Sequence, residues 1–176
     1  KSKRYITPAN AKKIIKKIKQ KNQSVNFIGV FVNEEKEKLL QTMTDCSLDF
    51  VQLHGEEDES YFSDIKDKTI KAFRVEDQMN QFQIDHIIRC KAKSVLLDTY
   101  SKKARGGTGK SFNWRNIKDI NHDNLFLAGG LTSANVQAAL DYKPDVLDIN
   151  SGVELSPGIK DHEKIEIVMK KIMMEM

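Results

Sequence analysis

Six short runs of aliphatic and β-branched residues punctuate the chain, at Phe27–Val32, Phe50–Leu53, Ile70–Val75, Ser94–Asp98, Leu125–Ala128 and Val146–Ile149. Each is too short for a helix, and most are apolar at consecutive positions, as strands covered on both faces are. Between them apolar residues recur at helical spacing, predicting helices over Glu34–Met43, from Glu56 towards Ile65, and over Asp77–Arg89, Trp114–Ile120, Ser133–Tyr142 and Asp161–Met174. Asn33 is placed to cap the first of these with its short polar side chain. Glu56 and Glu57 fall where negative charge suits the start of the second. One more helix opens the chain, because Thr7-Pro8 sets a capping hydroxyl before a proline at the first helical position.

The strand starts are about 20 to 30 residues apart, the scale of a βα unit, so the pattern predicts an α/β fold with parallel strands. No linker rich in Pro, Gly or Ser interrupts it, and residues 1–176 read as one domain. Two architectures fit: an open doubly wound sheet and a (β/α)8 TIM barrel. Six strands suit the open sheet. The polar residues suit the barrel, because they stand at the ends of nearly every strand rather than at one switch point.

Composition narrows the function. Of 176 residues, 39% are hydrophobic and 31% charged, which excludes a disordered or fibrous chain. The 29 Lys plus Arg against 25 Asp plus Glu leave +4, a balance that raises the question of nucleic acid. The positions argue against it. Lys12, Lys13, Lys16, Lys17, Lys19 and Lys21 interleave with Ile14, Ile15 and Ile18 as the wet face of an amphipathic helix. No aromatic residues alternate with them as a base-stacking platform requires. No apolar run reaches a membrane span, the amino end lacks the apolar block of a signal peptide, and two cysteines make neither a disulfide framework nor a metal site. A soluble, cytoplasmic protein without metal, nucleic-acid or membrane partners is expected.

Candidate chemistry lies at the strand ends. Gln52 and His54, two apart, share one side of their strand and face a common polar mouth. Asp98 follows three apolar residues, where a desolvated carboxyl is suited to general-acid work; the alternative is a cap or a partner for Lys103 or Arg105. Tyr100 to Lys110 carries three glycines among basic residues, which fits either a lid over an anion or a plain connection. Ala128-Gly129-Gly130 and Asn150-Ser151-Gly152 end the last two strands, where exposed amides and missing side chains let backbone approach a phosphate.

Taken in order, these segments resemble phosphoribosylanthranilate isomerase. The resemblance rests on Lys1-Ser2-Lys3-Arg4-Tyr5-Ile6-Thr7-Pro8, Gly29-Val30-Phe31-Val32-Asn33-Glu34, Val51-Gln52-Leu53-His54-Gly55 and Leu96-Leu97-Asp98-Thr99. It continues through Gly106-Gly107-Thr108-Gly109-Lys110, Leu127-Ala128-Gly129-Gly130-Leu131, Asn150-Ser151-Gly152-Val153-Glu154 and Ser156-Pro157-Gly158-Ile159-Lys160-Asp161. It implies a (β/α)8 barrel that performs, without a cofactor, the Amadori rearrangement of N-(5-phosphoribosyl)anthranilate in tryptophan biosynthesis. Asp98 matches the family's general acid and Arg4 an arginine beside the anthranilate moiety. Gln52, His54 and Asp148 match site-lining residues, and Gly129, Gly130, Asn150, Ser151 and Gly152 the phosphate loops. The phosphosugar substrate is then the expected partner, in a monomer or homodimer.

The sequence departs from the family at its front. The family's general base is a cysteine in a Lys-x-Cys-Gly segment ending the first strand, and no such segment occurs here. Cys46 approaches a strand and Cys90 follows a helix, so neither is a substitute. By barrel arithmetic about 30 residues, one βα unit and a strand, are missing. That predicts an amino-terminally truncated barrel of about six strands, inactive as it stands, with a phosphate-binding fragment as the alternative function. A different phosphosugar isomerase or aldolase would require a lysine or second carboxylate at a strand end, which the pattern does not offer.

Overall fold

The expected first helix is present. In the computed structural model α1 spans Pro8–Lys19, with the Thr7 side chain accepting from the amide of Asn10. The structure describes residues 2–22, 24–75, 79–99, 117–118 and 120–174. The glycine-rich segment at 100–110 and most of the helix expected at Trp114–Ile120 lie outside the described residues. The chain divides into two compact units, Lys1–Ala72 with Lys91–Lys93, and Phe73–Cys90 with Ser94–Met176.

The first unit holds α1, β1 (Ile28–Phe31), α2 (Lys36–Cys46), β2 (Phe50–Leu53), α3 (Glu59–Phe62) and the start of β3 (Thr69–Val75). Strands β1 and β2 pair in parallel from Ile28↔Phe50 to Phe31↔Leu53, and β2 pairs in parallel with β3 from Val51↔Thr69 to Leu53↔Lys71. Asp49 ties α1 to the sheet, its carboxylate accepting from the Phe27 amide at 2.8 Å and from Lys19 Nζ at 3.0 Å.

Two helix starts differ from expectation here. Asn33 does not cap α2: it takes a left-handed φ of 50°, and Glu35 stands at the N-cap without a side-chain bond. Its Oδ1 instead accepts from the Glu56 amide at 2.8 Å. Glu57 does not face a helix dipole either. The helix starts later, at Glu59, where Asp58 accepts from the Tyr61 amide, while Glu57 is buried against Lys71. A buried carboxylate is held by direct charge and amide partners, which outweigh the weak field of a four-residue helix.

The second unit contains α4 (Gln81–Ile88), β4 (Ser94–Thr99), β5 (Leu125–Ala128), α5 (Val136–Leu140), β6 (Val146–Leu147), β7 (Glu154–Ser156), β8 (Ile159–Lys160) and α6 (His162–Met173). Asn80 and Gln83 form a capping box at α4, and Asp161 caps α6 through the Lys164 amide. Val95, Leu96 and Leu97 are all fully buried, so β4 is covered on both faces as its apolar run requires. Val75, Ile84, Ile87, Val95, Leu97, Leu125 and Leu127 belong to one core; Val136, Val153 and Val168 make a second beneath α6. Each such side chain contributes about 1.5–3 kcal/mol by leaving water. The hairpin β7–β8, which turns at Pro157-Gly158, was not anticipated from the pattern. The strand order is the chain order, β1 to β6.

Candidate active site

Parallel register brings the candidate groups of the second unit to one level. Asp98 on β4 pairs with Ala128 on β5, and Leu127 pairs with Leu147 on β6. The next residue, Asp148, donates its amide to the Leu127 carbonyl at 2.8 Å. Asp98, Ala128 and Asp148 therefore end three adjacent strands together. The chain beyond them leads directly into Gly129-Gly130 and Asn150-Ser151-Gly152 at that same carboxyl rim, where barrel enzymes keep their sites. Asp98 and Asp148 are both half-buried.

The two glycine loops touch through their backbones. A Cβ built on Gly152 would lie 1.8 Å from the Leu131 carbonyl oxygen, so only glycine permits this approach. Gly129 and Gly130 take φ of 91° and 68°, the left-handed region that turns the chain away from β5. Asn135 braces that turn, accepting from the Thr132 amide at 2.8 Å and donating Nδ2 to the Gly130 carbonyl at 3.1 Å. Lys160 braces the other loop, donating to the carbonyl and the side-chain oxygen of Asn150 at 2.8 and 2.7 Å and to Glu154 at 3.2 Å. Both acceptor oxygens of Asn150 are engaged in this way.

In the first unit, Gln52 and His54 meet as their spacing implied: Gln52 Nε2 lies 3.0 Å from His54 Nδ1. Gln52 is buried on β2 and His54 half-buried just beyond it, where its amide donates to the Phe31 carbonyl at 2.8 Å. Arg4 stands in an exposed turn before α1, its amide on the Ser2 hydroxyl.

A pair that sequence reasoning missed lies behind these residues. Lys71 Nζ is 3.1 Å from Glu57 Oε2, 2.7 Å from the Gly55 carbonyl and 3.5 Å from the Leu53 carbonyl. Glu57 also accepts from the amides of Asn33 at 2.7 Å and Gly55 at 2.9 Å. Burial pushes the Glu57 carboxyl up, but the Asn33 amide, its own amide and the Lys71 ammonium outweigh this and hold it below the usual 4.5. The available signal was a lysine inside the apolar run at 70–75.

Neither cysteine stands at a strand's carboxyl end. Cys46 is the last residue of α2, buried, its thiol donating to the Pro8 carbonyl at 3.3 Å; Cys90 follows α4. Among the described residues no group of three or more His, Cys, Asp or Glu is placed to hold a metal, and no helix is long and apolar enough to cross a membrane.

Parallel strands alternating with helices, with Asp98, Asp148 and two glycine-rich loops at one rim of the second unit, are the arrangement of the (β/α)-barrel class. The comparisons narrow that class. The family model for N-(5'-phosphoribosyl)anthranilate isomerase matches residues 1–171, and the chain belongs to this family. An N-(5'-phosphoribosyl)anthranilate isomerase from Citrifermentans bemidjiense is 40% identical over 167 residues, 94% of this chain and 78% of its own. The crystal structure of phosphoribosyl anthranilate isomerase from Thermotoga maritima superposes with a TM-score of 0.83 at 38% identity, covering 97% of this chain and 82% of that one. A further structure of that enzyme, in complex with reduced 1-(o-carboxyphenylamino)-1-deoxyribulose 5-phosphate, is 36% identical with a TM-score of 0.80, over 97% of this chain and 81% of that one. The barrel reading therefore displaces the open sheet. Matches over nearly all of this chain lend no support to reading it as an inactive, truncated fragment.

Proposed function

We propose that the protein converts N-(5-phosphoribosyl)anthranilate to 1-(2-carboxyphenylamino)-1-deoxyribulose 5-phosphate, and that Asp98 is its general acid. Asp98 delivers a proton to the ribose ring oxygen as the C1–O bond breaks, leaving an open-chain Schiff base. A general base then takes the proton from C2, and the resulting enolamine becomes the ketone. In the family that base is a cysteine of a Lys-x-Cys-Gly segment. Cys46 and Cys90, held within or beyond helices, do not take its part.

The observation that carries this reading is the register of β4, β5 and β6, which sets Asp98 level with the start of both glycine loops. Backbone amides around Gly129-Gly130 and Asn150-Ser151-Gly152 hold the 5-phosphate, and Asp148 lines the site beside them. Arg4 meets the anthranilate carboxylate, its fixed charge suited to that group. Gln52 and His54, already bonded to each other, are further substrate contacts by their match to the family's residues. The test is loss of the substrate's anthranilate fluorescence on addition of the purified full-length protein. Turnover is expected; saturable binding of a product analogue without turnover would overturn the assignment.

A further inference from the structure

We propose that Lys71 and Glu57 are positioning residues that hold the Leu53–Glu57 turn, and with it His54 and Gln52, in working geometry. The inference rests on the isomerase reading for its purpose and on the first unit's own geometry for its mechanism.

Lys71 lies beside Ile70, the register partner of Gln52, so alternation puts the Lys71 side chain on the opposite face of the sheet from Gln52. It therefore holds the turn from behind. Its ammonium donates to Gly55 and approaches the Leu53 carbonyl, the two carbonyls that bracket His54. Glu57 closes the arrangement from the other end of the turn: it accepts the Gly55 amide, and through the Asn33 amide it fastens the turn to the end of β1. Asn33 returns a bond to the Glu56 amide, and its side chain packs where a Cβ on Gly55 would stand, 2.2 Å from Oδ1. The carbonyls of Leu53 and Gly55 and the amide of Gly55 are thus held by the pair, while the His54 amide is held by the Phe31 carbonyl.

Stability alone gives weak reason for a buried ion pair, since well-packed apolar residues serve as well or better. Such a pair does offer fixed direction: an ammonium with three bonded oxygens and a carboxylate with three bonded donors hold one backbone conformation. A displacement of His54 of about 1 Å is enough to cost a large factor in rate.

The experiment compares Lys71→Met, Glu57→Gln and the double variant, each in the full-length protein. Either single change strands a buried partner and is expected to lower the thermal midpoint; the double change removes both charges and recovers most of that loss. A purely structural pair would then recover function too. The positioning role predicts that the folded double variant keeps kcat/KM at least about tenfold below the parent, chiefly through kcat. It also predicts shifted His54 ring and Gln52 side-chain amide resonances in the free protein. Unchanged resonances and kcat/KM within twofold of the parent, in a double variant of recovered stability, would overturn the proposal. If the double variant does not fold, Glu57→Gln alone with the same resonances decides it. Should the parent show no turnover, the isomerase reading fails by itself, and the resonances still judge the positioning claim.

Discussion

A methyl group added at Gly152 would lie 1.8 Å from the Leu131 carbonyl oxygen, whereas one added at Gly130 meets nothing within 4 Å. The two glycines are therefore needed for different reasons, close backbone approach at one and a φ of 68° at the other. Gly130→Ala is expected to lower stability by about 1 kcal/mol through left-handed strain. Gly152→Ala must push one backbone away from another, and about 3 kcal/mol or more is expected, the upper end for overpacking. Urea unfolding of both variants checks the order, and equal losses would contradict it. Some of this detail was legible in the sequence. The spacing of Gln52 and His54 foretold their shared side, and glycine pairs at strand ends foretold unusual backbone. The role of Glu57 was not legible, because its partners Asn33 and Lys71 lie 24 and 14 residues away in the chain.

Elements are tied together by the same buried carboxylates. Glu57 links the ends of β1 and β2 to β3, and Asp49 links α1 to the start of β1. For Asp49, burial pushes the carboxyl up, but the Phe27 amide and Lys19 hold it below the usual 3.8. Both folded values are depressed, so their stabilisation is fully present above the ordinary values and is lost as pH falls through the folded ones. The urea midpoint should thus stay level from neutral pH to about 5 and then fall steadily, with a shallower fall in Glu57→Gln. A midpoint that held or rose down to about pH 3 would contradict this pairing. At this scale the apolar runs located the six strands within a few residues, since burial on both faces leaves little freedom in composition. Helix starts were less legible: α2 and α3 begin two to three residues late because Asn33, Glu56 and Glu57 serve the turns instead. The β7–β8 hairpin escaped notice because strands of three and two residues carry almost no periodic signal.

For the molecule as a whole, alternation of strand and helix was enough to imply parallel strands, because each helical crossover returns the chain to the end of the sheet it started from. It did not choose between an open sheet and a barrel. Relatives at 40% identity and a TM-score of 0.83 to a solved isomerase made that choice. Function follows from what the strand ends share rather than from the fold itself. The central claim is that Asp98, level with Ala128 at the rim of β4 and β5, donates the proton that opens the ribose ring. Replacing it with asparagine keeps the size of the side chain and removes the proton. The decisive measurement is kcat for Asp98→Asn against the parent, with affinity for a product analogue measured in parallel. A loss of about a hundredfold to ten-thousandfold in kcat is expected, with affinity nearly unchanged. Near-normal turnover in that variant would contradict it.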